Sequence, residues 1–186
     1  MKKFNSFGFL PDNDNFLVKS KSVENLINDY NEMIDVTLLP EVDQINEKVF
    51  LGNYEAARYK DRLKLKDITH ILVCGKNMDC LYEEDFVYMT LPIADNEDEQ
   101  IKDYFSKCFE FIEKSDKVFI HCQAGISRSA TIVIAYLMWK LKISLKTAFK
   151  YVKSKRSIVN PNSGFMKQLK DFEIELHPNY KFFEKK

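Results

Sequence analysis

Residues 117–138 read KVFIHCQAGISRSATIVIAYLM. Lys117 to His121 form a short apolar run of β-formers that predicts a strand entering a buried sheet, and the apolar run after Ser129 predicts a buried helix. HCQAGISRSA, from His121 to Ala130, is then a strand-to-helix turn. A turn of this kind aims backbone N–H groups and the positive end of a helix dipole at one point, which suits an anion. The side chain at its mouth is Cys122.

Working outward, VFLG at 49–52 reads as a strand and turn, followed by a helix from Asn53 to about Leu65. HILVC at 70–74 and FVYMT at 86–90 read as two further strands. Between Glu99 and Ser115, Ile101, Tyr104, Phe105, Cys108, Phe109 and Ile112 recur at helical spacing and predict an amphipathic helix. Helices are also predicted over about 129–141, 144–156 and 163–176. Strands alternating with helices predict an α/β fold, a single domain whose central mixed, mostly parallel sheet is flanked by helices on both faces.

That domain is expected over 41–178. The polar residues 1–21, with Asn and Asp around Pro11, read as a mobile arm, and 179–186 as a tail. Ser22 can cap a helix VENLINDYNEMI whose Val23, Leu26, Ile27 and Tyr30 share a face, so 22–40 reads as an N-terminal helical segment.

The chain has 186 residues, 45% hydrophobic and 13% aromatic, enough for one globular core. Lysine plus arginine equals aspartate plus glutamate at 28 each, which gives no reason to expect nucleic acid as a partner. No segment approaches the roughly 18–20 apolar residues of a membrane span, so no membrane association is expected. The cysteines Cys74, Cys80, Cys108 and Cys122 show neither CxxC pairing nor metal-ligand spacing, and no secretory signal opens the chain. These features predict a reducing compartment, the cytoplasm with the nucleus as a further location.

Cys122 and Arg128 enclose five residues, giving C-x5-R. A loop of this length can wrap its amides around a tetrahedral oxyanion, and Gly125 permits an approach that a Cβ would block. Arg128, one of only four arginines in a lysine-rich chain, offers a planar fork for two oxygens. A thiolate at the centre would be stabilised by the same amides, dipole and guanidinium, making Cys122 a nucleophile. Gln123, Ala124, Gly125, Ile126, Ser127 and Arg128 are therefore the residues expected to bind such an oxyanion, of which phosphate is one.

HCQAGISRSA resembles the HCxxGxxRS signature of the cysteine-dependent protein phosphatases, specifically their small dual-specificity branch. The likeness runs through roughly residues 44–176, including VFLGN, ITHIL, RSATIVIAYLM and SIVNPNSGFMKQL. It implies the dual-specificity phosphatase fold and hydrolysis of phosphotyrosine, phosphoserine and phosphothreonine in proteins through a cysteinyl-phosphate. The position similar to the family's general acid is Asp95 in LPIADNEDEQI, with Asp98 as the alternative. Ser129 resembles the hydroxyl that stabilises the departing thiolate, and His121 the imidazole that shapes the loop from behind. Neither a metal nor another cofactor is implied, since loop amides and Arg128 supply the charge stabilisation.

The resemblance further implies phosphorylated protein partners, protein kinases among them, and a monomer whose shallow cleft has one lip formed by the helix near 22–34. A phosphoinositide phosphatase is the nearest rival, but its relatives carry lysines inside the loop, where this chain has Gln123, Ala124, Ile126 and Ser127. A non-catalytic phosphoprotein-binding module is disfavoured because cysteine, arginine and acid are all present. Seven basic residues and no acidic one lie from Lys140 to Arg156, and Lys146, Lys150 and Lys153 are expected on an exposed face that could steer acidic substrates. Cys74 reads as a buried strand residue, although some cysteine phosphatases form a protective disulfide with a cysteine behind the loop.

Overall fold

The structure, a computed structural model, describes residues 40–178. The expected arm over 1–21 and the tail over 179–186 lie outside the described residues, as does the helical segment over 22–40 apart from Pro40.

Among the described residues, five strands form one sheet: β1 (Val42–Gln44), β2 (Val49–Asn53), β3 (His70–Cys74), β4 (Val87–Leu91) and β5 (Val118–Cys122), in the order β1-β2-β5-β3-β4. The β2·β5, β5·β3 and β3·β4 pairs are parallel, and β1 runs antiparallel to β2. A parallel strand covered on both faces must be apolar nearly throughout, and every residue of β5 is buried. Its register pairs Asn53 with Cys122, and both Gly52 and Val73 with His121, so β5 is central and the expected turn leaves from the middle of the sheet.

Pleating sends alternate β5 residues to opposite faces. Phe119 faces a smaller cluster with Ala56 and Ala57 of α1 (Tyr54–Ala57) and Leu63 of α2 (Lys60–Leu65). Val118, Ile120 and Cys122 face the larger cluster built by α3 (Phe105–Lys114), α4 (Arg128–Leu141), α5 (Leu145–Lys155) and α6 (Ser163–Leu176). Ile132, Val133 and Ile134 of α4 are wholly buried, each worth about 1.5–3 kcal/mol relative to exposure. That burial fixes α4's first turn at the end of β5.

The elements follow the sequence expectation with four corrections. β1 was not foreseen. The helix expected from Asn53 to Leu65 is two short ones, because Tyr59, with φ −100° and ψ 76°, leaves the helical region between them. The helix expected from Glu99 opens instead as a 3-10 turn at Ile101–Tyr104 before α3. The strand expected at 86–90 lies at Val87–Leu91.

Candidate active site

β5 ends at Cys122, α4 begins at Arg128, and residues 123–127 form the turn between them. Every carbonyl of that turn is bonded to a group outside it. The Gln123 carbonyl accepts from Tyr54 N–H at 3.3 Å, and the Ile126 carbonyl from Asn160 N–H at 2.9 Å. Arg156 takes the two between, donating from Nη2 to the Ala124 carbonyl at 3.2 Å and from Nε to the Gly125 carbonyl at 2.9 Å. The Ser127 carbonyl accepts from Thr131 N–H and Oγ1, both at 2.8 Å.

A planar trans peptide holds its C=O and the following N–H in opposite directions. Carbonyls drawn outward therefore turn the amides of residues 124–128 toward the common centre. One of them is seen there, the Gly125 N–H, 3.2 Å from Cys122 Sγ. Gly125 has φ +67°, and a Cβ would come within 2.4 Å of the Gly52 carbonyl, so only glycine fits.

Cys122 is 1% exposed, and its sulfur also accepts from Ser129 Oγ at 3.2 Å. Ser127 occupies the N-cap of α4 but makes no capping bond. Its hydroxyl instead donates to Asp95 Oδ1 at 2.7 Å and accepts from Asn162 N–H at 3.1 Å. The first-turn amides of α4 are thus left without a side-chain cap, an arrangement favourable to an anion.

Arg128 Nε lies 3.4 Å from Asp95 Oδ2, and this buried nitrogen has no hydrogen-bond partner among the described residues. Asp95 Oδ1 accepts a second bond from Asn162 Nδ2 at 3.0 Å. Asp98, the alternative acid, lies on an open cavity of about 370 Å³ with Asn96, Glu99, Gln100, Asp103 and Tyr104. It is Asp95 that reaches the turn.

His121 projects to the opposite face of β5 from Cys122. Its ring stacks on Phe119 at 5.4 Å and 18°, and its Nδ1 has no hydrogen-bond partner among the described residues. Burial pushes the imidazole down to about 4, against a smaller opposing effect of the Cys122 backbone, so the ring behind the loop is neutral. Cys74 is also buried, and burial, followed by the neighbouring Cys108 and Cys122, pushes its thiol well up. Among the described residues no three His, Cys, Asp or Glu side chains are grouped to hold a metal ion. Of the lysine stripe, Lys146 and Lys150 line an open cavity, while Lys153 is committed to the Val159 carbonyl at 3.0 Å.

The expected Cys122, Gly125, Ser127, Arg128, Ser129 and Asp95 are thus brought together. Sequence reading missed Arg156, which is 5% exposed and paired with Asp43 Oδ2 at 2.7 Å, and it missed Asn160 and Asn162. The scarcity of arginine that drew attention to Arg128 applied equally to Arg156.

The family model described as dual specificity phosphatase, catalytic domain, matches residues 49–175. The chain belongs to the dual-specificity phosphatase family. "Dual specificity protein phosphatase 1" of Arabidopsis thaliana is 39% identical over 143 residues, covering 75% of this chain and 72% of that protein. The human protein of that name is 39% identical over 132 residues, covering 69% of this chain and 36% of its own length. Among solved structures, the human tyrosine phosphatase-like serine/threonine/tyrosine-interacting protein superposes with a TM-score of 0.70 at 37% identity, covering 72% of this chain and 96% of that one. A mouse dual specificity phosphatase solved with zinc tungstate does so at 0.70 and 28% identity, covering 75% and 90%. These likenesses make this dual-specificity phosphatase an α/β enzyme of the cysteine-dependent superfamily.

Proposed function

We propose that this dual-specificity protein phosphatase hydrolyses phosphotyrosine, phosphoserine and phosphothreonine in proteins through Cys122. The outward bonding of all five turn carbonyls carries the reading, because it leaves a cup of inward amides around the sulfur. The cup and the Arg128 guanidinium hold the three non-bridging oxygens of the phosphoryl group. Cys122 Sγ forms a bond to phosphorus as the ester P–O bond breaks, and Asp95 gives its proton to the departing oxygen. Water then attacks phosphorus while Asp95 takes a proton back, and the S–P bond breaks to release inorganic phosphate. The emerging thiolate is received by Ser129 Oγ and the Gly125 N–H, both 3.2 Å from the sulfur.

His121 backs the loop as a neutral stacked ring. Gln123, Ala124 and Ile126 bring no charge into the cup for a second phosphate to grip, which supports protein esters over polyphosphorylated inositol rings. A tetrahedral oxyanion, tungstate, accompanies the mouse relative. A relative named phosphatase-like shares the fold, so the fold alone does not separate turnover from binding; the juxtaposed Cys122, Arg128 and Asp95 support turnover here. Protein kinases among its substrates, a monomeric state and a cytoplasmic and nuclear location belong to the same reading.

Hydrolysis of p-nitrophenyl phosphate tests it. Wild type turns the ester over without added metal, is inhibited by vanadate and yields a phosphocysteine on rapid quenching, whereas Cys122→Ser is inert. Equal turnover by Cys122→Ser would remove the sulfur from the reaction.

A further inference from the structure

Asp95 lies on the connection between β4 and the 3-10 turn, a stretch without regular structure of its own. Such a loop would ordinarily hold a carboxylate loosely, yet here it is fastened to α6 at three levels. At the first, Asn162 Nδ2 donates to Asp95 Oδ1 at 3.0 Å and to the Asn96 carbonyl at 3.2 Å. At the second, Gly164 meets the Glu97 backbone so closely that a Cβ would sit 1.9 Å from the Glu97 carbonyl oxygen. At the third, Gln168 donates from Nε2 to the Glu99 carbonyl at 2.8 Å and accepts the Lys102 N–H at 3.0 Å. One helical turn separates the second level from the third, so one face of α6 meets the loop along its length.

Asn162 does two jobs with one amide. Its Oδ1 caps α6 by accepting the Phe165 N–H at 2.9 Å, and that bond fixes the plane in which Nδ2 points at Asp95. Asp95 Oδ1 is then held between Asn162 and Ser127, and Oδ2 is the oxygen left on the Arg128 side. An aspartate at 162 could cap equally well but would set a carboxylate against Asp95, and a serine could cap but has no donor long enough to reach it.

We infer that the N-terminal turns of α6 are the seat of the acid loop, and that Asn162 is a positioning residue that aims Asp95 Oδ2 at the leaving oxygen. This rests on Asp95 being the proton donor. Asn162 touches neither phosphoryl group nor sulfur; it acts by fixing where the proton is delivered. Misplacing a general acid by an ångström forfeits roughly tenfold to a hundredfold in rate, and only where the leaving oxygen needs the proton.

The test uses two variants. Asn162→Ser keeps an N-cap acceptor and removes the donor to Asp95, while Gly164→Ala favours the helix and drives a methyl group into the Glu97 carbonyl. Each is assayed as the full chain on p-nitrophenyl phosphate, whose phenol leaves readily, and on phenyl phosphate, whose phenol leaves poorly. In both variants kcat/KM, which reports the P–O cleavage step and not the later hydrolysis of the phosphocysteine, falls on phenyl phosphate roughly tenfold or more beyond its fall on p-nitrophenyl phosphate. Alkylation of Cys122 by iodoacetate, which reads the cup alone, proceeds as in wild type. Equal losses on the two esters, or none, overturn the inference, because a merely structural role for Asn162 and Gly164 would not distinguish leaving groups. A wild type that hydrolyses neither ester overturns the phosphatase reading together with it.

Discussion

The neutral imidazole behind the Cys122 loop makes stability fall with acidity in a window set by one residue. His121 is 1% exposed and its folded-state pKa is about 4, whereas an unfolded histidine titrates near 6.5. The unfolded chain therefore binds a proton between about pH 6.5 and pH 4 that the folded chain refuses. Stability is full above the unfolded value and is lost as the pH falls through the window, flattening below the folded value. The separation of roughly 2.5 units amounts to about 3 kcal/mol in all, of which about 2 kcal/mol is gone by pH 5.

Trp139, the sole tryptophan, stacks on Phe109 at 5.2 Å and reports core unfolding by fluorescence. Urea titrations from about pH 7.5 to pH 5 should show the unfolding free energy of wild type declining by about 2 kcal/mol more than that of His121→Phe, whose ring can still lie on Phe119. His70, whose pKa is lowered chiefly by burial, titrates in both proteins and cancels in the difference. Glu113, lowered chiefly by its bond from Lys140, loses its contribution only at more acidic pH and cancels likewise. Parallel pH profiles for the two proteins would refute the argument.

Three other perturbations bear on the site. Arg156→Met removes the donors that draw the Ala124 and Gly125 carbonyls outward and leaves Asp43 without its partner; a stability loss of about 3–5 kcal/mol is expected by urea unfolding. Arg156→Lys keeps the charge but cannot bond both carbonyls and Asp43 in one plane, so vanadate inhibition should weaken by roughly tenfold or more while most stability remains, and unchanged inhibition would show that the cup does not depend on the guanidinium. The Cys74 thiol, pushed well up by burial, is a poor partner for an oxidised Cys122, so brief peroxide treatment of the folded enzyme should give no Cys74–Cys122 disulfide peptide in mass spectra; rapid formation of that peptide would contradict this.

The reach of the sequence follows from where each interaction partner lies along the chain. β5, the turn and α4 are contiguous, and their apolar runs change character at Cys122 and Arg128, so local pattern sufficed. β1 is three residues, VDQ, too short and polar to register as a strand, and it exists because Val42, Asp43 and Gln44 pair with Gly52, Leu51 and Phe50. The break at Tyr59 has neither glycine nor proline to announce it. The 3-10 turn at Ile101–Tyr104 shares its apolar spacing with the helix that was expected, and its backbone is held from α6 by Gln168. Arg156 and Asn162 act on residues 31 or more positions away, a separation at which neither periodicity nor motif spacing carries information.

Asp43 draws one boundary in an unexpected place. The stretch matched by the family model begins at residue 49, downstream of β1, yet the carboxylate that neutralises Arg156 stands upstream of it. A fragment trimmed to that stretch would retain Cys122, Asp95 and the whole turn, and would strand a guanidinium in the interior with no counter-ion. A fragment that keeps Arg156 paired is thus longer than the matched stretch, and its margin is set by a charge that must be balanced.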